Sequence, residues 1–236
     1  MAAHGSVDGD RNWTGTAMRA EEFWQAFSPA DEAGSGVFDG VYLAALPDER
    51  MLKLPIRAVP GGDRGLASLI INQASFDVMR GLAGLLAERL APFAPEIVVG
   101  LPTLGLTVAS AVAEALGHSR YVAAGTSRKF WYDDSLSVAI SSVTTPDAKR
   151  LYLDPRLLPL LEGKQVVLID DVLSTGKSIL AGIELLRRIG VRPMAIGAMM
   201  LQSERWKAAL PADAPPVIGV FSTPLLRRAG SGWAVA

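Results

Sequence analysis

The chain has 236 residues, of which half are apolar and 20% are charged, and this composition is typical of one folded domain rather than of a disordered chain. Its 23 Lys and Arg nearly balance its 24 Asp and Glu, which argues against nucleic acid or an anionic membrane as the main partner. The absence of cysteine excludes disulfides and thiolate metal sites. With neither a signal-like start nor a long apolar run, we expect a cytoplasmic protein with no membrane partner.

The sequence of the N-terminal third predicts three features. Residues 1–36 are rich in Gly, Ser, Asp and Ala, which indicates a tail or exposed arm before a domain spanning residues 37–236. An aromatic island at residues 23–27 predicts a short helix that packs either on its own domain or on a partner subunit. The apolar runs 41–46 and 51–56 flank a four-residue turn and predict a hairpin, a small flap.

From residue 75 onward, helical and strand patterns alternate, which predicts an α/β fold with a doubly wound parallel sheet and a core at about residues 95–221. In such a sheet, ligands bind at the carboxyl ends of the strands. Residues 128–150 form a polar insertion. The predicted helices are 76–90, 108–116 and 179–189, and the predicted strands are 97–100, 121–124, 166–170, 194–201 and 217–221.

The stretch from Val166 to Ser178 carries the most chemical information. Four apolar residues predict a buried strand, and two carboxylates, Asp170 and Asp171, stand where it ends. Carboxylates there can accept hydrogen bonds from vicinal hydroxyls. The small and hydroxylated residues that follow favour a tight turn whose N–H groups and helix start converge on an anion. A diol site beside a phosphate site suits ribose 5-phosphate.

Two other interpretations of this stretch compete. Gly176-Lys177-Ser178 imitates the end of a nucleoside-triphosphate P-loop, but that motif requires a glycine where this chain has Asp171. A carboxylate would repel the phosphates, so we exclude the P-loop. A plain strand end followed by a helix N-cap is the other alternative, and it would be favoured for an isolated Asp-Asp pair.

The whole run resembles the signature of type I phosphoribosyltransferases, which bind 5-phosphoribosyl-1-pyrophosphate (PRPP). That signature is a hydrophobic strand, two acidic residues, two apolar residues, and small and hydroxyl residues around Thr-Gly. The resemblance implies the family's α/β fold with a flexible loop. It also implies that the two carboxylates bind the ribose 2- and 3-hydroxyls and that residues 174–178 bind the 5-phosphate. The implied PRPP site is Asp170, Asp171, Val172, Leu173, Ser174, Thr175, Gly176, Lys177 and Ser178.

A second similarity concerns residues 100–106, which stand where the family has a pyrophosphate-binding loop after an early strand. It implies that Thr103, Leu104 and Gly105 bind pyrophosphate. Gly105 lets the backbone approach an anion without a Cβ clash. Better-known members carry a polar or basic residue here, and this chain has only Thr103, so backbone amides would contribute more. A simple strand-to-helix turn is the alternative.

A third similarity concerns Arg128 and Lys129, which precede three aromatic residues that are costly to expose. They resemble the basic dipeptide that opens the flexible loop of adenine-type enzymes. The resemblance implies that both cations act in catalysis beside Asp170 and Asp171, and that the enzyme is a homodimer, since this loop serves a partner's site in several members. A solvated turn whose aromatics pack on a neighbouring subunit is the alternative.

The acceptor base is the least specified element. Family members hold it near the ends of the last two strands, which implies Leu201, Gln202 and Phe221-Ser222, with Trp206 as a further stacking candidate. Ordinary strand-end packing is the more common role of such residues, and a place in the core is the more common role of a tryptophan such as Trp206. The resemblance also implies Mg²⁺, bound mainly by PRPP oxygens with no direct protein ligand.

Together these patterns predict a phosphoribosyltransferase of nucleotide salvage, which transfers the ribose 5-phosphate of PRPP to a nucleobase and releases pyrophosphate. The basic dipeptide favours a purine base, of the adenine or xanthine type. One alternative is a PRPP- or nucleotide-sensing regulator with the same fold, although residues 1–74 lack a basic helix-turn-helix pattern. A relative of PRPP synthase would need an ATP site, for which the sequence has no motif.

Overall fold

A computed structural model describes residues 18–30, 36–140 and 149–236. The α-helices are α1 (Phe76–Leu90), α2 (Gly105–Ala115), α3 (Lys177–Arg187) and α4 (Arg205–Ala209). The strands are β1 (Phe27–Ser28), β2 (Val41–Ala45), β3 (Met51–Ala58), β4 (Arg64–Ala67), β5 (Ile97–Gly100), β6 (Val122–Ala123), β7 (Ser137–Ala139), β8 (Arg150–Tyr152), β9 (Val166–Leu173), β10 (Ala195–Gln202), β11 (Val217–Thr223), β12 (Leu225–Ala229) and β13 (Gly232–Val235).

A five-stranded parallel sheet of order β11-β10-β9-β5-β6 forms the centre of the fold. Its strands are buried on both faces, as their continuous apolar runs require. Val98 packs in one core cluster with residues of α1 and α2, whereas the adjacent Val99 packs in another with residues of α3. Helices therefore cover both faces, and the predicted doubly wound sheet is confirmed.

The first helix has the predicted bounds. Ser75 caps α1, because its hydroxyl oxygen accepts a hydrogen bond from the Val78 N–H at 3.2 Å. The helix ends at Leu90, where Pro92 follows. The other two long helices begin earlier than predicted, α2 at Gly105 instead of residue 108 and α3 at Lys177 instead of residue 179. Both loops before these helices are correspondingly shorter.

Strand β9 is longer than predicted. The sequence predicts its end at Asp170, but the strand continues to Leu173 because β10 pairs with it at Met200–Val172 and Leu201–Leu173. The acidic pair therefore lies inside a hydrogen-bonded strand, and only residues 174–176 connect it to α3.

A second, antiparallel sheet is built from both ends of the described chain. Its order is β1-β3-β4-β12-β13, and β2 pairs with β3. The β2–β3 pairing confirms the predicted hairpin. The β12–β13 hairpin was not predicted. Its strand β12 pairs with β4, although the two strands lie near opposite ends of the chain. This sheet is joined to the parallel one at Gln202, whose side-chain amide donates to the Ala67 carbonyl at 2.8 Å.

The aromatic island packs on its own domain. Phe23 and Trp24 are 2% and 3% exposed, and the Trp24 indole N–H donates to the Ser68 carbonyl. The predicted helix is wrong, because the chain forms a 3-10 turn at Ala20–Glu22 and then strand β1. Of the predicted arm, residues 1–17 and 31–35 lie outside the described residues.

The polar insertion contains regular structure. A 3-10 turn at Asp134–Leu136 leads into β7, which pairs with β8, because Leu136, Val138 and Leu151 are buried against the core cluster of α3. Residues 141–148 of the insertion lie outside the described part of the chain. No helix within the described ranges is long and apolar enough to cross a membrane.

Candidate active site

Two adjacent carboxylates lie in the central strand of the parallel sheet. Asp170 is 7% exposed and Asp171 is partly buried. The backbone N–H of Asp171 donates to Oδ1 of Asp170 at 2.9 Å, which orients the Asp170 carboxylate relative to the strand backbone. The register pairs Asp170 with the small residue Ala198 of the neighbouring strand β10.

Burial raises the pKa of Asp170 well above its ordinary value, and the negative charge of Asp171 raises it further. Burial also raises the pKa of Asp171, although hydrogen bonds partly oppose this. Two carboxylates that are costly to keep ionised are suited to a partner that donates hydrogen bonds, such as a diol or a hydrated cation.

The predicted phosphate loop follows directly. Ser174, Thr175 and Gly176 connect β9 to α3, and Gly176 has a φ of +79°, a conformation that favours glycine. Helix α3 begins at Lys177, and its first N–H groups have no partners within the helix. This geometry presents backbone donors and the positive helix end near the acidic pair.

The predicted pyrophosphate loop lies beside the same carboxylates. It connects β5 to α2, and the Leu101 N–H donates to the Ile169 carbonyl at 2.9 Å. A β-carbon on Gly105 would lie 2.7 Å from Oδ1 of Asp170, so the two residues are in direct contact. The peptide bond between Pro102 and Thr103 is cis. Folding therefore brings Gly105 and the acidic pair together, from positions far apart in sequence.

The basic dipeptide is on a separate segment. Arg128 pairs with Asp134, with Nε 2.7 Å from Oδ1, and both side chains are largely exposed. Within the described ranges, no hydrogen bond or ion pair joins Arg128 or Lys129 to the acidic pair or to the phosphate loop. The structure thus places the dipeptide after β6 without bringing it to the carboxylates.

An aromatic anchor holds the segment that carries the dipeptide. The Trp131 indole N–H donates to Oδ2 of Asp154 at 3.3 Å, and the Arg156 guanidinium lies 4.9 Å from the centre of the Trp131 ring. Hydrogen bonds from Arg156 hold the pKa of Asp154 well below its ordinary value. Phe130 next to the anchor is 92% exposed.

The candidate base-binding residues lie at the ends of β10 and β11. Gln202 is buried and its amide group is bonded to Ala67, as described above. Phe221 is 5% exposed within the core cluster that contains α1, and the Leu201 side chain packs against Gly219. The Trp206 indole N–H donates to the Ser203 carbonyl. All four are engaged in packing, and their role toward a base stays a prediction.

Arg205 contacts the predicted phosphate loop, although the sequence did not indicate it as a site residue. Nη2 of Arg205 donates to Oγ of Ser174 at 3.0 Å. The signal available in the sequence was the polar stretch 203–205 immediately after a buried strand, in the position where sheets of this type bind ligands.

Comparison with known proteins agrees with this geometry. The model of the phosphoribosyl transferase domain matches residues 66–216, more than half of the chain. The chain belongs to this family. The matched residues of this phosphoribosyl transferase domain include both loops and the acidic pair.

Individual relatives are more distant. The adenine phosphoribosyltransferase of Rhodospirillum centenum is 29% identical over 121 residues, which are 49% of this chain and 64% of that protein. The chain thus matches slightly less than two thirds of that curated relative's length.

Solved structures share the fold. Adenine phosphoribosyltransferase from Rhodothermus marinus has a TM-score of 0.52 at 21% identity, covering 78% of this chain and 94% of that one. The enzyme from Giardia lamblia complexed with 9-deazaadenine has a TM-score of 0.52 at 22% identity, covering 62% and 80%. The parallel sheet with its flanking helices is therefore the type I phosphoribosyltransferase fold.

Proposed function

We propose that this chain is a phosphoribosyltransferase that transfers the ribose 5-phosphate of PRPP to a purine base and releases pyrophosphate. The observation that carries the proposal is the position of Asp170 and Asp171 between the two loops predicted to bind anions, with Gly105 against Asp170 on one side and the loop ending at Gly176 on the other. PRPP has this order of groups: a pyrophosphate, a diol and a 5-phosphate. Membership of the phosphoribosyl transferase domain family supports the same assignment.

Each proposed group has a separate task. The two carboxylates accept hydrogen bonds from the ribose 2- and 3-hydroxyls, which orients the anomeric carbon. Residues 174–178 bind the 5-phosphate through backbone N–H groups and the start of α3. Thr103, Leu104 and Gly105 bind the pyrophosphate, mainly through backbone amides. This arrangement holds PRPP at both ends, so that the base can displace pyrophosphate through an oxocarbenium-like transition state.

We propose that Arg128 and Lys129 stabilise the charge that develops on the departing pyrophosphate. Lys129 makes no ion pair with any residue in the described ranges and is exposed, so its charge is available to an anion. The segment that carries Arg128 and Lys129 would have to move over the proposed PRPP site, and it would exclude water from that site as it closes. The Trp131–Asp154 contact would act as the fixed end of that movement.

The Mg²⁺ ion is the remaining component of the proposed reaction. In the described part of the chain, no three His, Cys, Asp or Glu residues cluster so that they could hold a metal ion. We propose that the ion arrives with PRPP, bound by pyrophosphate oxygens and water, as its preference for oxygen ligands and retained waters allows.

We also propose a cytoplasmic homodimer. The exposed aromatics Phe130 and Trp131, which are 92% and 42% exposed, support a contact with a second subunit beside the basic dipeptide. Sedimentation analysis of the parent and of Phe130→Ala would test this: a parent that stays monomeric contradicts the dimer.

The activity test is direct. The protein is incubated with PRPP, Mg²⁺ and adenine, guanine, hypoxanthine, xanthine or orotate, and nucleotide and pyrophosphate are separated by chromatography. We expect equal amounts of pyrophosphate and of one purine nucleotide. A protein that binds PRPP but forms no nucleotide with any base would contradict transfer and favour the sensing regulator. The double variant Asp170→Asn, Asp171→Asn serves as the inactive control.

A further inference from the structure

Helix α4 packs directly on the phosphate loop. A β-carbon on Gly176 would lie 3.2 Å from the β-carbon of Ala209 and 3.5 Å from the carbonyl oxygen of Trp206. Ser203, with a φ of +60°, turns the chain sharply from β10 into this helix, and its carbonyl accepts the Trp206 indole N–H at 3.0 Å. The start of α4 is therefore held at a fixed position against the loop.

Arg205 reaches from α4 to the loop. Its Nη2 donates to Oγ of Ser174 at 3.0 Å, and its Nε lies 3.3 Å from Oγ of Ser203. These two contacts orient the guanidinium plane. A guanidinium has five N–H donors, so about three remain for another acceptor.

The charge of Arg205 is not balanced by a carboxylate. Among the described residues it makes no ion pair, whereas the adjacent Glu204 pairs with Lys207. A guanidinium with an oriented plane, free donors and no carboxylate partner is matched to an oxyanion with several acceptor oxygens. The loop 174–178, which Arg205 contacts through Ser174, is proposed to bind such an oxyanion, a phosphate.

We infer that Arg205 is a ligand of the 5-phosphate and makes the site selective for phosphorylated sugars. This inference rests on the proposed function, because it assigns the phosphate at residues 174–178 to the sugar. The backbone donors of the loop supply partial charges only, and Arg205 adds a full positive charge against a phosphate that carries up to two negative ones. Arg205 thus acts on the end of PRPP that does not react.

Two probes separate the two ends of the site. Ribose 5-phosphate occupies the sugar and 5-phosphate positions, and magnesium pyrophosphate occupies the leaving-group position. We expect Arg205→Ala to weaken ribose 5-phosphate binding by about tenfold to a hundredfold, the range for a lost charge-assisted hydrogen bond. Magnesium pyrophosphate should bind the variant as it binds the parent. Calorimetry measures both, and the melting temperature confirms folding.

Further variants distinguish a charge contact from support of Ser174. Arg205→Lys keeps the charge and should restore much of the ribose 5-phosphate affinity, whereas the neutral Arg205→Gln should not. Lys207→Ala, which removes a neighbouring cation that is already paired with Glu204, is the matched control and should change affinity by less than about twofold.

Three results would overturn the inference while leaving the proposed function intact. They are parental affinity in Arg205→Ala, rescue by Gln but not by Lys, and an equal loss for both probes. A parent protein that binds neither probe would overturn the proposed function together with this inference.

Discussion

Gly105 and Asp170 touch so closely that a β-carbon on residue 105 would lie 2.7 Å from Oδ1 of Asp170 and 2.9 Å from its Cα. The backbone of Asp170 cannot retreat, since it belongs to the central strand of the sheet. The glycine is therefore required by the acidic pair as well as by the loop that it ends.

Gly105→Ala should displace the carboxylate or the start of α2. We expect a loss of about 1–3 kcal/mol in the free energy of unfolding, as for overpacked sites, with weaker PRPP binding. Gly84→Ala is the matched control, because Gly84 also lies in a helix but a β-carbon there would have nothing within 4 Å. The control should be neutral or slightly more stable. Denaturant unfolding and calorimetry measure the two effects, and parental stability in Gly105→Ala would contradict the close contact.

The raised pKa of Asp170 makes the stability of the ligand-free protein depend on pH. Its pKa in the folded state is above the unfolded value of about 3.9, so the folded state binds more protons between the two values. The contribution of Asp170 to stability is therefore largest at low pH and is lost as the pH rises through that interval. Asp170→Asn lacks this loss. The melting temperature of the variant minus that of the parent should therefore increase as the pH rises from about 4.

Glu96 provides a control of opposite sign. Hydrogen bonds from Lys164 and from the Gln165 N–H lower its pKa, so its contribution is present above the unfolded pKa and is lost as the pH falls. Glu96→Gln should accordingly destabilise the protein at neutral pH and not at low pH. If both variants showed the same trend in melting temperature against pH, the assignment of a raised pKa to Asp170 would be wrong.

Asp171→Asn tests the diol assignment. An amide keeps the shape but replaces one acceptor oxygen with a donor, so PRPP should bind several-fold or more weakly. The melting temperature should not fall, because burial already makes the ionised form costly. Calorimetric titration with PRPP and Mg²⁺ gives the affinity. If neither single Asn variant altered it, the carboxylates would not hold the ribose.

Gly176→Val tests the phosphate loop. A valine at this position would be unfavourable for two reasons. The φ of +79° is strained for any residue with a β-carbon, and that β-carbon would lie 3.2 Å from the β-carbon of Ala209. Gly190→Val is the matched control, because its φ is +73° but nothing lies within 4 Å of a β-carbon. Both variants should lose stability, and only Gly176→Val should lose binding of ribose 5-phosphate. If Gly176→Val folded and bound ribose 5-phosphate with parental affinity, this loop would not be the phosphate-binding site.

Lys129→Ala tests the mechanism. If Lys129 acts only as pyrophosphate departs, its removal should lower kcat more than it raises KM. By analogy with oxyanion-hole donors, we expect a loss of about a hundred- to a thousandfold in kcat, with nucleotide affinity almost unchanged. Lys164→Ala is the control, because Lys164 pairs with Glu96 before the start of β9, at the opposite edge of the sheet. If Lys129→Ala turned over at the parental rate under saturating PRPP, the catalytic role would be wrong and Arg128-Lys129 would be a solvated turn.

The sequence by itself determined the parallel sheet, the hairpin at residues 41–56 and the position of the acidic pair. Hydrophobic periodicity is a local property, so α1 and β5 were predicted with their observed bounds, and the signature at residues 166–178 was recognised because all its positions are contiguous. The ends of β9, α2 and α3 were shifted, because strand pairing and loop closure set them from outside each segment.

Only the tertiary structure decided which distant residues meet. The contact of Gly105 with Asp170, the pairing of β4 with β12 and the hydrogen bond of Arg205 to Ser174 all join residues that are at least 31 positions apart in the sequence. No periodicity encodes such contacts, since each results from the packing of whole elements. The charge of Arg205 became informative in the same way, once the fold had placed it on the phosphate loop without a carboxylate partner among the described residues.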